Sequence, residues 1–300
     1  MKGFSLALVR RALVWHRRRC VVREQRSLLA SGPALKVLLF HGLYDDAVGG
    51  CPSDVDPTLA IPLSTFRRHL QETIKQGFRF IHPDQIHEIC SSRERLALLT
   101  FDDGYANNLL AMSVLREMAV PALIFVTTDA LVRRRAYWWD VVAKEGKQRG
   151  LMPAQMSELR RCLKKLPPKE LETTMCSNFG ATCYDDPSEE ARPLTVDELR
   201  QLAQDKLVQI GNHTHCHALL PQLNEADVRW ELQECQRTLT EITGDAPRAL
   251  AYPNGRWNET VAQAARAEGI QFAFTTHRAL CPLPLPAAFN FSIPRLQPEP

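Results

Sequence analysis

Two adjacent carboxylates, Asp102 and Asp103, and two histidines four residues apart, His213 and His217, are the groups in this chain best suited to hydrolytic chemistry. The carboxylates sit in Thr100-Phe101-Asp102-Asp103-Gly104-Tyr105, and the histidines in Gly211-Asn212-His213-Thr214-His215-Cys216-His217. Neighbouring side chains point to opposite sides of an extended chain, so the carboxylates converge only if the backbone turns sharply, which Gly104 permits. Their charges repel. A bound cation keeps both ionised, whereas without one the pKa of one carboxylate would rise. His213 and His217 can supply further ligands, because a four-residue separation on a helical turn places two imidazoles on one face. Two imidazoles and one carboxylate make a catalytic zinc set with a position open for water. Alone, a pair of Asp at a strand end is commonly a turn or cap, and His-x-x-x-His a solvated pair. Here both fall at the ends of predicted strands of one sheet, together with a third polar segment, Tyr252-Pro253-Asn254-Gly255.

The elements that must position these groups follow an α/β pattern with crossovers. Apolar runs at residues 36–41, 78–81, 96–101, 122–126, 207–210, 249–252 and 270–275 read as strands. Ser64 is expected to cap a helix with Phe66, Leu70 and Ile74 on one face, ending at Gly77. A helix over about residues 107–118 follows the carboxylates, and Thr195 with Glu198 forms a capping box for another. Asn224 opens a helix carrying Val228, Leu232, Cys235, Leu239 and Ile242 on one face, closed by Gly244. Six or seven such units in about 240 residues suit a parallel barrel better than a short open sheet. Residues 131–192 break the rhythm and read as a helical insertion over one end of the barrel. The proline-rich tail after Cys281 reads as an extended wrap. The expected organisation is a basic segment, 1–35, followed by one domain, 36–300.

Composition narrows the function classes. Three hundred residues with 45% hydrophobic and 24% charged content exclude a disordered, collagen-like or coiled-coil chain. A net charge of +3 is too balanced for a general nucleic-acid binder, so no nucleic-acid partner is expected. Residues 1–26 hold eight Lys and Arg against Glu24, which puts +7 there and −4 on the remainder. No apolar run in this segment approaches the roughly 20 residues that span a bilayer. It also lacks a small-x-small cleavage site, so the mature chain is read as starting at Met1. Its Leu6, Val9, Leu13 and Trp15 would let it lie on an anionic membrane surface; the plainer reading is a solvated, frayed helix. Nine scattered cysteines without a Cys-x-x-Cys pair argue against a disulfide framework and a thiolate zinc site. A reducing, cytoplasmic location is expected, with peripheral contact at the inner face of the membrane.

Thr-Phe-Asp-Asp-Gly-Tyr at 100–105, His-Thr-x-x-His at 213–217 and Tyr-Pro-x-Gly at 252–255 resemble the polysaccharide deacetylases, the NodB-homology group of carbohydrate esterase family 4. The similarity runs from about residue 36 to 276. Less specific parts of it are Leu39-Phe40-His41, Tyr137-Trp138-Trp139-Asp140 and Ile293-Pro294-Arg295. The resemblance implies a distorted (β/α)7 TIM-like barrel that hydrolyses the N-acetyl group of an amino sugar with a divalent metal, usually zinc. It makes Asp103, His213 and His217 the metal ligands, Asp102 the general base, and the backbone N–H of Tyr252 the oxyanion donor. The residues suit that chemistry in their own right, since zinc lowers the pKa of water and Asp102 can accept the proton.

The chain departs from the family at the general acid. Members usually supply it from a Leu-x-His motif near the C-terminus, and no histidine follows His277. Some members that act on surface poly-amino-sugars carry the equivalent histidine on the first strand, where His41 stands; His277 is the competitor. Asp45 and Asp46 are candidates to keep His41 protonated beside a cation. His69, His82, His87 and His215 are read as surface residues, and Trp138 and Trp139 either stack on sugar or pack in the insertion. The function expected is deacetylation of an N-acetylated sugar in a cell-surface glycan pathway. One alternative is hydrolysis of a non-sugar amide. The other is a catalytically silent glycan-binding or assembly subunit, disfavoured because a binding module has no need of a base beside a metal. An aspartyl phosphatase is disfavoured too, because its second Asp would stand two residues on.

Overall fold

A computed structural model describes residues 32–298, and the basic segment 1–26 lies outside them. The strands are β1 (Ala34–Phe40), β2 (Gly42–Tyr44), β3 (Ala60–Pro62), β4 (Arg79–Phe80), β5 (Arg95–Phe101), β6 (Ala122–Val126), β7 (Val208–Asn212), β8 (Ala249–Ala251), β9 (Phe272–Phe274) and β10 (Cys281–Pro282). The helices are α1 (Leu63–Lys75), α2 (Ala111–Met118), α3 (Thr128–Arg133), α4 (Trp138–Gln148), α5 (Pro153–Leu163), α6 (Pro168–Phe179), α7 (Val196–Ala203), α8 (Glu225–Thr243) and α9 (Glu259–Ala267).

Strands β1, β5, β6, β7, β8 and β9 run parallel, each paired with the next in that order. Residues 293–296 close the curl. Ile293 bridges in parallel to Phe274 of β9, and Leu296 to Leu38 of β1. The Ile293 N–H donates to Ala273 O (2.9 Å) and the Leu296 N–H to Val37 O (2.7 Å). The fold is a distorted (β/α)7 barrel, and the tail expected to be only a wrap supplies its closing segment. So short a segment, with Pro294 inside it, shows no alternation for a sequence pattern to reveal.

Strand periodicity sorts each strand into two faces. Leu35 and Val37, Leu96 and Leu98, Leu123 and Phe125, Ala249 and Ala251, Phe272 and Phe274 belong to one buried cluster, the barrel interior. Leu38, Phe40, Leu99, Phe101, Ile124 and Val126 face outward under Phe66 and Leu70 of α1, Leu115 of α2 and Leu239 of α8. Extending the inward series past the strand ends yields His41 after β1, Asp102 after β5 and His213 after β7. All three therefore reach the carboxyl-terminal mouth of the barrel, where sites of this architecture are built.

The helices follow the expected signals with three differences. Thr195 Oγ1 accepts from the Glu198 N–H (3.2 Å) and Glu198 accepts from the Thr195 N–H (2.8 Å), completing the capping box of α7. Asn224 caps α8, and Gly244 ends it at φ 86°. Helix α1, however, starts at Leu63, so Ser64 lies inside the first turn and donates to Asp46 instead of capping. Ile74 is exposed and Thr73 takes the buried place, which keeps the i, i+4, i+7 spacing of Phe66, Leu70 and Thr73. The segment after the carboxylates is a short 3-10 helix, Ala106–Leu110, leading into α2.

The insertion folds as α4, α5 and α6 around its own core of Trp139, Val142, Leu163 and Met175. It stands over the barrel mouth, where Trp138, Trp139, Arg160 and Lys164 line a cavity. Among the described residues no helix is long and apolar enough to cross a membrane, and the cysteines form no disulfide.

The barrel interior leaves no room for a side chain at Gly211 on β7. A Cβ there would overlap the Phe125 ring, which itself contacts Phe274 and lies 5.6 Å from the Arg295 guanidinium. Gly211→Ala is expected to lower stability by about 1–3 kcal/mol, the usual cost of overpacking. An unchanged urea midpoint would contradict this packing.

Candidate active site

The carboxylate pair is turned onto one site by left-handed backbone. The Asp102 N–H still donates to Phe40 O (2.9 Å), after which Asp103 adopts φ 74° and Gly104 φ 85°. Glycine takes this conformation freely, whereas aspartate does so at a cost that its surroundings must cover. Here Asp103 O accepts from the Thr127 N–H (3.1 Å) and from the Tyr137 hydroxyl (2.8 Å), which pins the turn. The sharp turn expected at Gly104 thus begins one residue earlier.

The histidines do not lie on a helical turn, contrary to expectation. Residues 213–217 form a loop in which Thr214 (φ 67°) and His217 (φ 55°) are left-handed, and Asn212 Oδ1 accepts from the Thr214 N–H (2.8 Å). The loop brings the two rings to 4.9 Å between centroids. His213 Nδ1 lies 2.8 Å from Ala251 O. A carbonyl only accepts, so Nδ1 carries the hydrogen and Nε2 presents its lone pair to the cavity.

Both Nε2 atoms face Asp103 Oδ1, at 3.3 Å from His213 and 3.5 Å from His217. Asp103 Oδ1 is buried and makes no well-formed hydrogen bond. A buried, acceptor-only oxygen against two imidazole nitrogens is costly unless a cation joins them. The three ligand atoms lie within 4.8 Å of one another, and a donor set of two nitrogens and one oxygen fits a divalent metal.

Burial alone would raise the Asp103 carboxyl, but the histidines against it, His213 foremost, hold it well below the usual carboxylate range. Burial pushes the His217 imidazole down to about 3, so it is neutral, as a ligand must be. At His213 burial also lowers the pKa, yet the charge of Asp102 and the contact with Asp103 outweigh it and raise the value above the ordinary one. The proton favoured there is one that a metal would displace.

Asp102 is clamped. Arg295, with no exposed surface, donates from both terminal nitrogens to its two oxygens (2.6 and 2.7 Å) and from Nε to Thr275 O (2.9 Å). Burial would raise the Asp102 carboxyl, while the Arg295 charge and His213 hold it below its ordinary value. An ionised carboxylate therefore stands 3.9 Å from His213 Nε2, beside the candidate ligand group. The sequence marks Arg295 only through Ile-Pro-Arg, and its role depends on burial that no local pattern encodes.

His41 lines the same cavity, of about 590 Å³, with Asp102, Asp103, His213 and His217. Its Nδ1 is buried without a hydrogen-bond partner, and its carbonyl accepts from Asn108 Nδ2 (2.6 Å). Burial lowers its pKa, opposed by Asp103 and Asp102. Asp45 and Asp46 do not assist: Asp45 accepts from the Ala47 N–H, and Asp46 accepts from Ser64. His277 is exposed and outside the cavity lining.

Tyr252 requires a correction. Its N–H already donates to Phe274 O (3.1 Å) between β8 and β9, and its hydroxyl donates to Phe291 O (3.2 Å), so no free donor remains. Asn254, left-handed at φ 54°, lines the cavity instead. Trp139 both packs and lines: its Nε1 donates to the Tyr105 hydroxyl (2.7 Å), which donates to Asp140 (2.6 Å), and its ring lies 4.7 Å from His217. His215 is not a surface residue, for its Nδ1 meets Thr128 Oγ1 (2.9 Å) and its ring meets Trp230 edge-on. With Asp129 and Cys216 it forms a second ligand-like group, but Asp129 is already paired with Arg133 and Arg135.

The sequence profile of the polysaccharide deacetylases matches residues 91–273. YxkH of Bacillus subtilis (strain 168), whose name places it among the polysaccharide deacetylases, is 21% identical over 247 residues, 81% of this chain. The chain spans 64% of that relative's length. IcaB from Ammonifex degensii superposes with a TM-score of 0.62 at 18% identity, covering 90% of this chain and 93% of its own. The Streptococcus pyogenes deacetylase PplD, solved in complex with acetate, gives 0.59 at 17% identity, with 90% and 94% covered. These structures share the fold, and the profile spans more than half of the chain, including Asp102, Asp103, His213 and His217. The chain belongs to the polysaccharide deacetylase family.

Proposed function

We propose that this chain removes N-acetyl groups from an amino sugar of a cell-surface glycan, using a divalent metal held by Asp103, His213 and His217. The observation that carries the reading is the unpartnered Asp103 Oδ1 between two imidazole nitrogens, next to an Asp102 kept ionised by Arg295. The mixed nitrogen and oxygen donors favour zinc. A metal there supplies a Lewis acid that acidifies water and polarises the acetamide carbonyl.

Asp102 takes the proton from the attacking water, and the two-pronged Arg295 contact fixes the direction of its lone pairs. Asn254, which lines the cavity, is the candidate for the oxyanion-donor role that the resemblance gives to Tyr252. His41, left neutral in the resting site by burial, would gain a proton as negative charge develops on the oxyanion and pass that proton to the departing amine. A base and an acid flanking one metal-ligand group are what amide hydrolysis needs and what a silent binding subunit has no use for. The basic segment 1–26 supports a peripheral place on the inner face of an anionic membrane.

The purified protein should hold about one divalent ion per chain, and His213→Ala should lose most of it by elemental analysis. Wild-type metal affinity should weaken from about pH 8 to about pH 6, because the raised His213 pKa lets protons compete. Undiminished metal in His213→Ala would count decisively against this site. Asp102→Asn should retain the metal and lose turnover by about 10²- to 10⁴-fold, and full activity would exclude Asp102 as the base. His41→Ala should slow acetamide hydrolysis by about 10²- to 10⁴-fold while sparing an activated aryl ester, whose leaving group needs no proton. That selective defect appearing in His277→Ala instead would move the acid to His277.

A further inference from the structure

The active-site cavity has cations at its mouth that the proposed reaction does not use. Ser157, Arg160 and Arg161 of α5, with Lys164 at its C-cap, line the cavity. Their spacing, i, i+3, i+4 and i+7, puts all four on one helix face. Arg160 is paired with Asp56 and Arg161 with Glu158, whereas the Lys164 ammonium makes no ion pair or hydrogen bond with any described residue. From the β8 side, Arg256 follows Asn254, which lines the same cavity. Its guanidinium is likewise without a partner among the described residues. The two cations are near enough to feel each other. Partial burial lowers the Lys164 pKa, Asp103 and Asp56 oppose this, and the charges of Arg160 and Arg256 add to it.

We infer that Lys164 and Arg256 hold a phosphate group carried by the sugar whose acetamide is cleaved, so that the substrate is a phosphorylated acetamido sugar, free or joined through the phosphate to a carrier. This rests on the deacetylase reading for the reaction, but the anion site itself stands on the two unpaired cations. A neutral sugar offers hydroxyl groups, which need no unpaired cation to bind. Two like charges converging on one opening repel, and an anion between them removes the repulsion. The surroundings do not supply that anion, because Asp56 is taken by Arg160 and Asp102 by Arg295, and Asp103 faces the two histidines. A helix C-terminus favours a basic residue, which accounts for Lys164 at the end of α5 but not for Arg256 in a loop. A phosphate monoester carries about −1.5 to −2 at neutral pH and three strong acceptor oxygens, so it can meet donors arriving from two elements. A carboxylate brings a single charge and two coplanar oxygens. Lys164 lines the cavity that also holds Asp103, His213 and His217, which puts the phosphate on the same sugar unit as the acetamide.

The test reads kcat/KM for acetate release from wild type, Lys164→Gln, Arg256→Gln and Lys164→Arg. The substrates are N-acetylglucosamine 1-phosphate, its uridine-diphosphate and polyprenyl-diphosphate forms, the neutral methyl glycoside, and a glucuronate-containing tetrasaccharide. Calorimetric titration with N-acetylglucosamine 1-phosphate, on metal-loaded Asp102→Asn with and without Lys164→Gln, reads binding without turnover. Both cations keep exposed surface, so their replacement opens no hole in the core. Wild type should favour a phosphate-bearing sugar over the methyl glycoside by about tenfold or more, and salt at about 0.5 M should shrink that ratio. Each Gln variant should bring the ratio close to unity, Lys164→Gln should weaken the titrated affinity by about tenfold, and Lys164→Arg should keep the preference. The diphosphate form cleaved with the higher kcat/KM names the carrier, lipid or nucleotide, and either result supports the site. A ratio and an affinity that the Gln variants leave unchanged would overturn the inference, with the deacetylase reading intact, since the metal alone would then hold the phosphate. A preference for the glucuronate tetrasaccharide over every phosphate form would overturn it in favour of a carboxylate. Lys164-dependent binding of the sugar phosphate without acetate release from any sugar would remove the reaction and keep the anion site.

Discussion

A guanidinium without exposed surface, locked through both terminal nitrogens onto a carboxylate that is 3% exposed, holds the site and the barrel together. Taking these two charges out of water costs several kcal/mol each, repaid only by good geometry and by further bonds such as those to Thr275 O and Thr100 Oγ1. Removing one partner from such a pair costs about 3–5 kcal/mol, because the other is left buried and unmatched. Arg295 belongs to the segment that closes the barrel between β9 and β1, and Asp102 follows β5. One contact thus joins closure of the fold to the orientation and ionisation of the Asp102 carboxylate.

Around that clamp, the site is assembled by two simple geometric facts. The inward-facing period of the strands delivers His41, Asp102 and His213 to the same mouth. Left-handed residues then bend the chain just past the strands, at Asp103 and Gly104 after β5 and at Thr214 and His217 after β7, so that Asp103 and His217 swing into the same space. The strain at Asp103 is held by the Tyr137 hydroxyl at the start of α4, and the His217 ring is backed by Trp139. The insertion therefore takes part in fixing the ligand group as well as in covering it.

The barrel class, most strand and helix positions and the residues gathered at the site were legible in the sequence, because each rests on local spacing: apolar runs, capping pairs, adjacent carboxylates, paired histidines. What was not legible depends on partners far along the chain. The closing role of residues 293–296 and the burial of Arg295 need the whole barrel to be visible. The Tyr252 N–H looked free until Phe274 O was placed beside it, and Asp45 and Asp46 looked close to His41 only in sequence. Ser64 had the composition of a cap, but Pro62 takes the N-cap place and the helix begins two residues earlier, at Leu63. The histidine pair came together through a loop instead of a helical face, so a sound inference about convergence rested on the wrong backbone.

On the proposed function, Asp103, His213 and His217, and no sulfur, hold the metal beside the clamped Asp102. Zinc K-edge absorption spectroscopy on the full chain loaded with one equivalent of zinc tests it directly. The expected first shell is two imidazole nitrogens at about 2.0–2.1 Å with oxygen donors at about 2.0–2.2 Å. A sulfur scatterer at about 2.3 Å, as Cys216 would give, or a shell without paired imidazoles would contradict it.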